Sequence, residues 1–328
     1  MMFTKLPTWC ATLLLIAASV LPIIAHAQDR FPSKPLRIVV PVPPGGNLDA
    51  VTRLIAEPLA ANLGQPVLVE NRTGASSTLG TRFVAQAPAD GYTILAMANT
   101  FLSTPVVMAG AGYDAANDFA GISMLVRVAN MVVVATSSPF QSMSDLIAAA
   151  RARPGEISYA TAGAGSVGHI AAERFSRQIG LTLLHIPYKG NGPALIDLVG
   201  GRVAMMFDQV STSAPQIRNN RLRALGIASN VRSNVLPEVP TLSEAGVKGF
   251  EDYTFNGLAV PAAVPREAVN RLHAALVKVL QDQTLRDRFA TQGIEVVPSA
   301  SPEEFTRFMR DEVARYGKLA KDANIKVE

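Results

Sequence analysis

LRIVVPVPPGGNLDAVTRLIAEPLAANLG (residues 36–64) is the stretch from which the fold can be inferred. It opens with a mainly apolar run, LRIVVPV, which predicts a strand buried in a parallel sheet. The turn PPGGN follows, and apolar residues then recur at helical spacing until Gly64, a residue type that commonly ends helices. A strand, a glycine turn and an amphipathic helix make the first step of a β-α-β unit.

The same alternation continues along the rest of the chain. Further strands and a helix complete a β-α-β-α-β unit by residue 99, and a second block of this kind occupies residues 130–229. A terminal set of helices needs a sheet to cover, so we expect the end of the chain to return to the first block. The sequence therefore predicts an α/β protein with two parallel-rich lobes, the first of them discontinuous. The terminal segments are a strand at 257–262 and helices at 265–281, 283–292 and 302–321.

Residues 1–27 are typical of a signal peptide. Lys5 supplies a basic start, residues 11–25 (ATLLLIAASVLPIIA) are uncharged and apolar, and Ala25-His26-Ala27 matches a cleavage site. The apolar run is shorter than the roughly 20 residues that a membrane-spanning helix needs. We therefore expect cleavage near Ala27 and an exported mature chain that begins near Gln28. A retained N-terminal anchor is the alternative.

Composition excludes several functional classes. The single cysteine, Cys10, lies in the leader, so the mature chain has no thiol for a disulfide, a nucleophile or a metal site. The formal charge of +4 comes from interspersed acidic and basic residues, unlike a nucleic-acid-binding surface. His169, His185 and His273 do not have metal-binding spacing, and no nucleophile-elbow or phosphate-loop motif occurs. We expect no catalytic residues, metal, cofactor or nucleic-acid partner.

Three predicted strand-to-helix junctions consist of small residues. They are VPPGGNLD (42–49), NRTGASSTLG (71–80) and TAGAGSVGH (161–169). In a parallel sheet such junctions lie at the carboxyl ends of the strands, where α/β folds bind ligands. The first N–H groups of each helix are unpaired there and can hold a carboxylate or phosphate. Ordinary tight turns with capped helices are the alternative interpretation, and the sequence leaves both open.

The third junction also spells G-x-G-x-x-G, through Gly163, Gly165 and Gly168, as in dinucleotide-binding folds. That function requires an acidic residue about 20 positions further on, at the end of the next strand, to bind the ribose. The next predicted strand ends in Lys189-Gly190, and the first carboxylate beyond it, Asp197, falls inside a helix. A nicotinamide-dependent dehydrogenase is therefore disfavoured.

Several motifs along the mature chain together resemble one known family, the substrate-binding proteins of tripartite tricarboxylate transporters, also called Bug receptors. FPSKPLRIVVPVPPGGNLDAVTRLIA and TAGAGSVGHIAAERF are similar to family motifs, and HIPYKGNGPALIDLVGGRVAMMFDQ is the longest match. LPEVPTLSEAG and FNGLAVPAAVP follow in the family's order.

The resemblance implies a periplasmic-binding-protein fold (type II-like), with two α/β lobes, two crossovers near 125–131 and 250–257, and a ligand cleft between the lobes. We expect lobe 1 to comprise 28–128 and 255–328, and lobe 2 to comprise 129–254. The resemblance also implies a monomeric periplasmic receptor that delivers a small organic acid to membrane subunits of a transporter. An exported enzyme that uses the same cleft, or a receptor for a membrane signalling partner, are the alternatives.

The resemblance also implies ligand-binding positions in both lobes. Asp208 is expected to meet a ligand amine, a hydroxyl or a water, and His169 either donates to the ligand or caps its helix. Asn99 and Thr100 depart from the family's usual strand end, and we expect them to shape specificity, although the sequence does not identify the ligand. The full predicted set is Pro43, Gly45, Gly46, Asp49, Ser76, Ser77, Asn99, Thr100, Thr161, Gly163, Ser166, His169 and Asp208.

Overall fold

The computed structural model describes residues 31–108, 110–163 and 165–322, and the predicted signal peptide lies outside these ranges. None of the described helices is both long enough and apolar enough to span a bilayer. The strands are β1 Leu36–Val40, β2 Val67–Asn71, β3 Thr93–Ala98, β4 Phe119–Ala135, β5 Ser158–Thr161, β6 Leu184–Pro187, β7 Met205–Gln209, β8 Leu222–Ile227, β9 Tyr253–Pro261 and β10 Ile294–Val296. The helices are α1 Asn47–Leu63, α2 Thr78–Ala85, α3 Asn99–Val107, α4 Met143–Ala152, α5 Val167–Gln178, α6 Asn191–Val199, α7 Val210–Arg218, α8 Arg266–Leu280, α9 Gln283–Ala290 and α10 Pro302–Asp322.

The strands form two sheets that share β4. In the first sheet β1, β2 and β3 are parallel, as the sequence predicts, and β9 pairs antiparallel with both β3 and β4. In the second sheet β5, β6 and β7 are parallel. The remaining strands β8 and β10 both pair antiparallel with β4. Each helix that follows one of these parallel strands thus begins at the carboxyl edge of its sheet.

The second sheet corrects one expectation. The sequence suggests a separate parallel strand from residue 130, but the structure has one strand of 17 residues, β4, that runs through both sheets. Its part up to Ala129 pairs with β9, and its part from Asn130 pairs antiparallel with β7. Strand direction depends on distant hydrogen-bonding partners, which the alternation of apolar residues does not reveal.

The chain changes lobes inside β4 and returns just before β9. Asn130 N donates to Asp252 O at 3.0 Å, and Asp252 N donates to Ala228 O at 2.8 Å, so the two crossings lie side by side. These positions fall within the predicted crossover segments. The predicted lobe limits at 128/129 and 254/255 lie close to this change of pairing and stay a proposal.

The C-terminal helices cover the first sheet, as expected for a discontinuous lobe. Leu272, Leu276 and Val279 of α8, which recur at helical spacing in the sequence, are buried. Phe305 and Met309 of α10 are fully buried against the same lobe. Burial of these apolar faces is the main force that holds the returning chain in place.

Helix α3 is an element that the sequence pattern does not predict. Its sequence, NTFLSTPVV, includes Pro105 and several residues of low helix propensity. Phe101 and Leu102 are nevertheless buried in the core of the first lobe. Tertiary packing therefore outweighs local propensity in this segment.

Candidate functional site

Within the described part of the chain, six helices begin at the carboxyl ends of parallel strands, three in each lobe. Helices α1, α2 and α3 follow β1, β2 and β3, and helices α5, α6 and α7 follow β5, β6 and β7. The two sets meet across a cleft: Ser103 Oγ of α3 donates to Gly165 O at 3.5 Å, and Ile170 of α5 is buried with Phe101 and Leu102 of the first lobe. The carboxyl edges of both sheets therefore converge.

Five of the six described helices that begin at this cleft lack a side-chain cap. The N-cap residues of α1, α2, α3, α6 and α7 make no side-chain cap hydrogen bond, and only α5 has one. Among the helices that begin elsewhere, α4, α9 and α10 are capped by side chains. The exception is α8, whose N-cap residue is Pro265. Uncapped helix starts leave N–H donors and a partial positive charge, which suits an anion.

The first junction is held by Asp49. The buried Asp49 carboxylate accepts hydrogen bonds from Gly45 N (2.9 Å), Arg53 Nε (3.1 Å) and Asn71 Nδ2 (2.8 Å). Burial alone would raise the pKa of Asp49, but these hydrogen bonds outweigh it and lower the pKa below its ordinary value. Asp49 thus fixes the loop, while Pro43, Gly45 and Gly46 are exposed on it.

The second junction has an unusual backbone. Ala75, Ser76 and Ser77 have φ angles of 44°, 53° and 72°, a left-handed conformation that non-glycine residues rarely adopt. Thr78 Oγ1 closes the turn by donating to Ala75 O at 2.8 Å. Ser76 is exposed, and Ser77, the N-cap residue of α2, makes no side-chain cap bond.

Asn99 has a structural role that the sequence does not show, and its predicted role in specificity stays a prediction. Its buried amide donates to Tyr253 O and Tyr316 Oη, both at 3.0 Å, and accepts from Phe255 N at 2.9 Å. It therefore ties α3 to the returning strand β9 and to α10. The neighbouring Thr100 is half-buried in the first turn of α3.

The third junction builds the start of α5. Ser166 is the N-cap residue, as the sequence indicates, and its Oγ accepts from His169 N at 3.4 Å. Thr161 Oγ1 accepts from Gly163 N at 3.2 Å and donates to Gly163 O at 3.1 Å, which shapes the glycine turn. Contact of Thr161, Gly163 or Ser166 with a ligand stays a prediction.

His169 accepts a hydrogen bond from the turn before α5 through one ring nitrogen and carries its proton on the other. Its Nδ1 accepts from Gly165 N at 3.0 Å, so the proton of the neutral ring resides on Nε2. The ring stacks on His185 with centroids 3.9 Å apart, and Tyr159 lies 5.0 Å from His185. Burial lowers the pKa of His169 to about 4, and burial together with the nearby His169 lowers that of His185 to about 4. Both rings are neutral at pH 7.

Sequence reasoning finds only that His185 lacks metal-binding spacing, and it misses this stack. The stack could have been inferred from the pairing of adjacent strands, because Tyr159 of β5 and His185 of β6 are register partners and share one face of the sheet. A ring at residue 169, in the first turn of the following helix, then completes the cluster.

Asp208 is a buried carboxylate with neutral donors around it. It is the penultimate residue of β7, beside the cleft, and accepts from Ser213 Oγ (2.5 Å), Asn191 Nδ2 (3.3 Å) and Thr212 Oγ1 (3.4 Å). Burial raises the pKa of Asp208 above its ordinary value, although these donors favour the charged form. The two longer contacts leave one oxygen weakly engaged.

A fourth small-residue junction, missed in the sequence, lies beside the third. Gly190 N donates to Ala162 O at 3.1 Å, and Gly190 then opens α6 without a side-chain cap. The run Gly190-Asn191-Gly192 follows a strand, so the criterion used for the other junctions would have found it.

The sequence profile described as "Tripartite tricarboxylate transporter family receptor" matches residues 51–325. The chain belongs to this family. The tripartite tricarboxylate transporter receptors include solved structures that share its fold. The periplasmic binding protein BugD is 33% identical with a TM-score of 0.79 and covers 91% of this chain and 100% of its own.

Two further receptor structures contain ligands. Rhodopseudomonas palustris Rpa4515 with adipate is 34% identical, with a TM-score of 0.81 and coverage of 90% of this chain and 99% of its own. MatC (Rpa3494) from the same organism with bound malate is 30% identical, with a TM-score of 0.78 and coverage of 88% and 99%. The predicted family and the two-lobed periplasmic-binding-protein fold are confirmed.

Proposed function

We propose that this protein is a periplasmic receptor that binds a small carboxylate between its two lobes. The observation that carries the proposal is the set of uncapped helix N-termini that converge on the cleft from both lobes. Adipate and malate in the related receptors support the same ligand class. An anion can be held there by backbone N–H groups without a buried arginine or lysine.

The roles of the side chains follow from their surroundings. The start of α1 behind the exposed Gly46 and the starts of α2 and α5, with Ser77 and Ser166, offer donors to a ligand carboxylate, while Gly45 N is held by Asp49. His169 adds a neutral Nε2–H donor, and Asp208 can accept from a hydroxyl or ammonium of the ligand. Thr161, Asp49 and Asn99 hold these groups in place through bonds inside the protein.

The cellular setting follows from the leader and the family. We infer that the signal peptide is removed near Ala27 and that the mature receptor is a periplasmic monomer. It passes its ligand to membrane subunits of a tripartite tricarboxylate-type transporter and does not itself catalyse a reaction. Periplasmic fractionation and N-terminal sequencing of the secreted chain test the localisation and the cleavage site.

The ligand proposal is tested with a thermal-shift panel on the purified mature protein. The panel contains malate, succinate, adipate, citrate, aspartate and glutamate. A ligand at 100 times its dissociation constant stabilises the folded state by about 2.7 kcal/mol, which gives a clear upward shift of the melting temperature. Melting temperatures that stay unchanged with every acid, and no co-purified acid in mass spectrometry, would contradict the proposal.

Ser166→Ala tests the contribution of the α5 N-terminus. We expect the affinity for the best acid of the panel to fall by about 1 kcal/mol or more, the size of a lost hydrogen bond, because the Ser166 hydroxyl, whose oxygen accepts from His169 N, can donate its proton to the ligand carboxylate. Isothermal titration measures the change. Ser142→Ala is the matched control because Ser142 caps α4, which begins at the opposite edge of the second sheet. The control should lower stability and keep the affinity, and equal affinities in both variants would remove Ser166 from the site.

A further inference from the structure

The turn before β10 brings the two lobes into contact beside the crossovers. Gly293 lies in this turn, and β10 pairs with β4 just before β4 leaves the first lobe. Across from Gly293 are Val210, which begins α7 in the second lobe, and Val235, which follows β8. Val210 stands two positions after Asp208, so this contact adjoins the candidate ligand site.

The approach at Gly293 leaves no room for a side chain. A Cβ atom on Gly293 would lie 2.7 Å from Val210 Cγ1, closer than carbon atoms pack in proteins, and 3.0 Å from Val235 Cγ2, which is a tight contact. Val210 is buried and β-branched, so its side chain has few rotamers available to move aside. A larger residue at 293 would therefore push the turn and α7 apart.

The lobes touch at a second place, on the cleft side. There Ser103 Oγ donates to Gly165 O, and Ile170 of the second lobe is buried in the core of the first. A cavity of about 460 Å³, lined by Arg127 and Tyr253 near the crossovers and by residues of both lobes, adjoins the Gly293 contact. These two contacts, together with the crossover segments, connect the lobes, and there is space beside the Gly293 contact.

We propose that Gly293 is a positioning residue for ligand binding: its missing side chain permits the close contact with Val210 and Val235 that holds the lobes in the arrangement described above. The contact positions Asp208 through Val210 and α7. It also sets the angle between the two lobes, and that angle determines how closely α3 approaches α5. The effect on affinity rests on the proposed carboxylate-binding function, but the effect on lobe arrangement does not.

Gly293→Ala is the test, and the chain offers a closely matched control. Gly293 has a φ of +70° and Gly64 a φ of +71°, but nothing lies within 4 Å of a Cβ placed on Gly64. Gly64→Ala therefore reproduces the backbone strain of the substitution without the contact. We expect Gly293→Ala to weaken binding of malate or adipate about tenfold, as for an overpacked site, and Gly64→Ala to change it less than about twofold.

Val210→Ala in the Gly293→Ala background distinguishes the contact from general damage. Removal of Val210 Cγ1 makes room for the new methyl group, so the double variant should recover most of the affinity lost in Gly293→Ala. A purely structural loss would instead grow with the second substitution. Equal affinities for the Gly293→Ala and Gly64→Ala variants, or no recovery in the double variant, would overturn the proposal.

A distance measurement separates this proposal from the ligand proposal. The mature sequence has no cysteine, so spin labels on Glu57→Cys and Arg151→Cys report one exposed helix position in each lobe. Without ligand, Gly293→Ala should shift the label distances away from those of the Gly64→Ala control. If the label distances shift but neither malate nor adipate binds to the unsubstituted protein, the ligand class is rejected and the positioning role is kept. Identical distance distributions would reject the positioning role.

Discussion

At the scale of single residues, His169 and His185 make the stability depend on pH. Burial lowers the pKa of each from 6.5 to about 4. Between pH 6.5 and 4 the unfolded chain binds protons that the folded chain does not, so the free energy of unfolding falls as the pH falls. For the buried His169 the loss approaches about 3 kcal/mol at pH 4, and none is expected above pH 6.5.

His169→Gln isolates this contribution. Glutamine at the same position of α5 has a side-chain oxygen that can accept from the Gly165 N–H but does not titrate. Urea unfolding at pH 5 and pH 7 should show a smaller difference between the two pH values in the variant than in the unsubstituted protein. If the two proteins show the same difference between pH 5 and pH 7, folding does not lower the pKa of His169.

At the scale of elements, the uncapped start of α1 predicts a trade between stability and binding. Gly46, its N-cap residue, has φ −77° and ψ 167°, which any residue adopts, and the nearest atom to an added Cβ is Pro43 O at 3.9 Å. In Gly46→Ser the hydroxyl should cap α1, raise the melting temperature slightly and weaken carboxylate binding about fivefold, because it occupies a donor that the ligand needs. Titration with the best acid of the panel measures this, and tighter binding would argue against an anion at α1.

At the scale of the whole molecule, Asp252 joins the lobes at the crossovers. It accepts from Arg174 Nη1 of α5 and from Asn130 Nδ2 of β4, both at 2.6 Å, and burial raises its pKa even though Arg174 and Asn130 favour the charged form. Asp252→Asn leaves Arg174 without its counter-charge and should lower the free energy of unfolding by about 2–4 kcal/mol. Denaturant titration measures the loss.

Glu303→Gln provides the comparison for Asp252. Glu303 forms an ion pair with Arg266 at 2.5 Å, but both side chains are largely exposed. Solvent screens such a pair, so its loss should leave the unfolding transition unchanged. If both variants unfold alike, the crossover pair contributes no more than a surface pair.

Much of the local structure could be predicted from the sequence. The strand, turn and helix of residues 36–64, Ser166 at the start of α5 and the apolar face of α8 all appear as expected. The candidate junctions were found by the same local logic, and they lie at the carboxyl edges of the strands. Their ligand contacts stay predictions, because a list of small residues does not show which N–H groups remain free.

The sequence by itself determined the α/β alternation and the family, because short-range periodicity and motif order encode them. Only the tertiary structure decided that β4 serves both sheets, that Asn99 ties α3 to β9, and that Gly293 meets Val210. These features depend on residues that are distant in sequence and come together when strands pair and apolar surfaces are buried. No local pattern specifies such partners, so they become visible only in the folded chain.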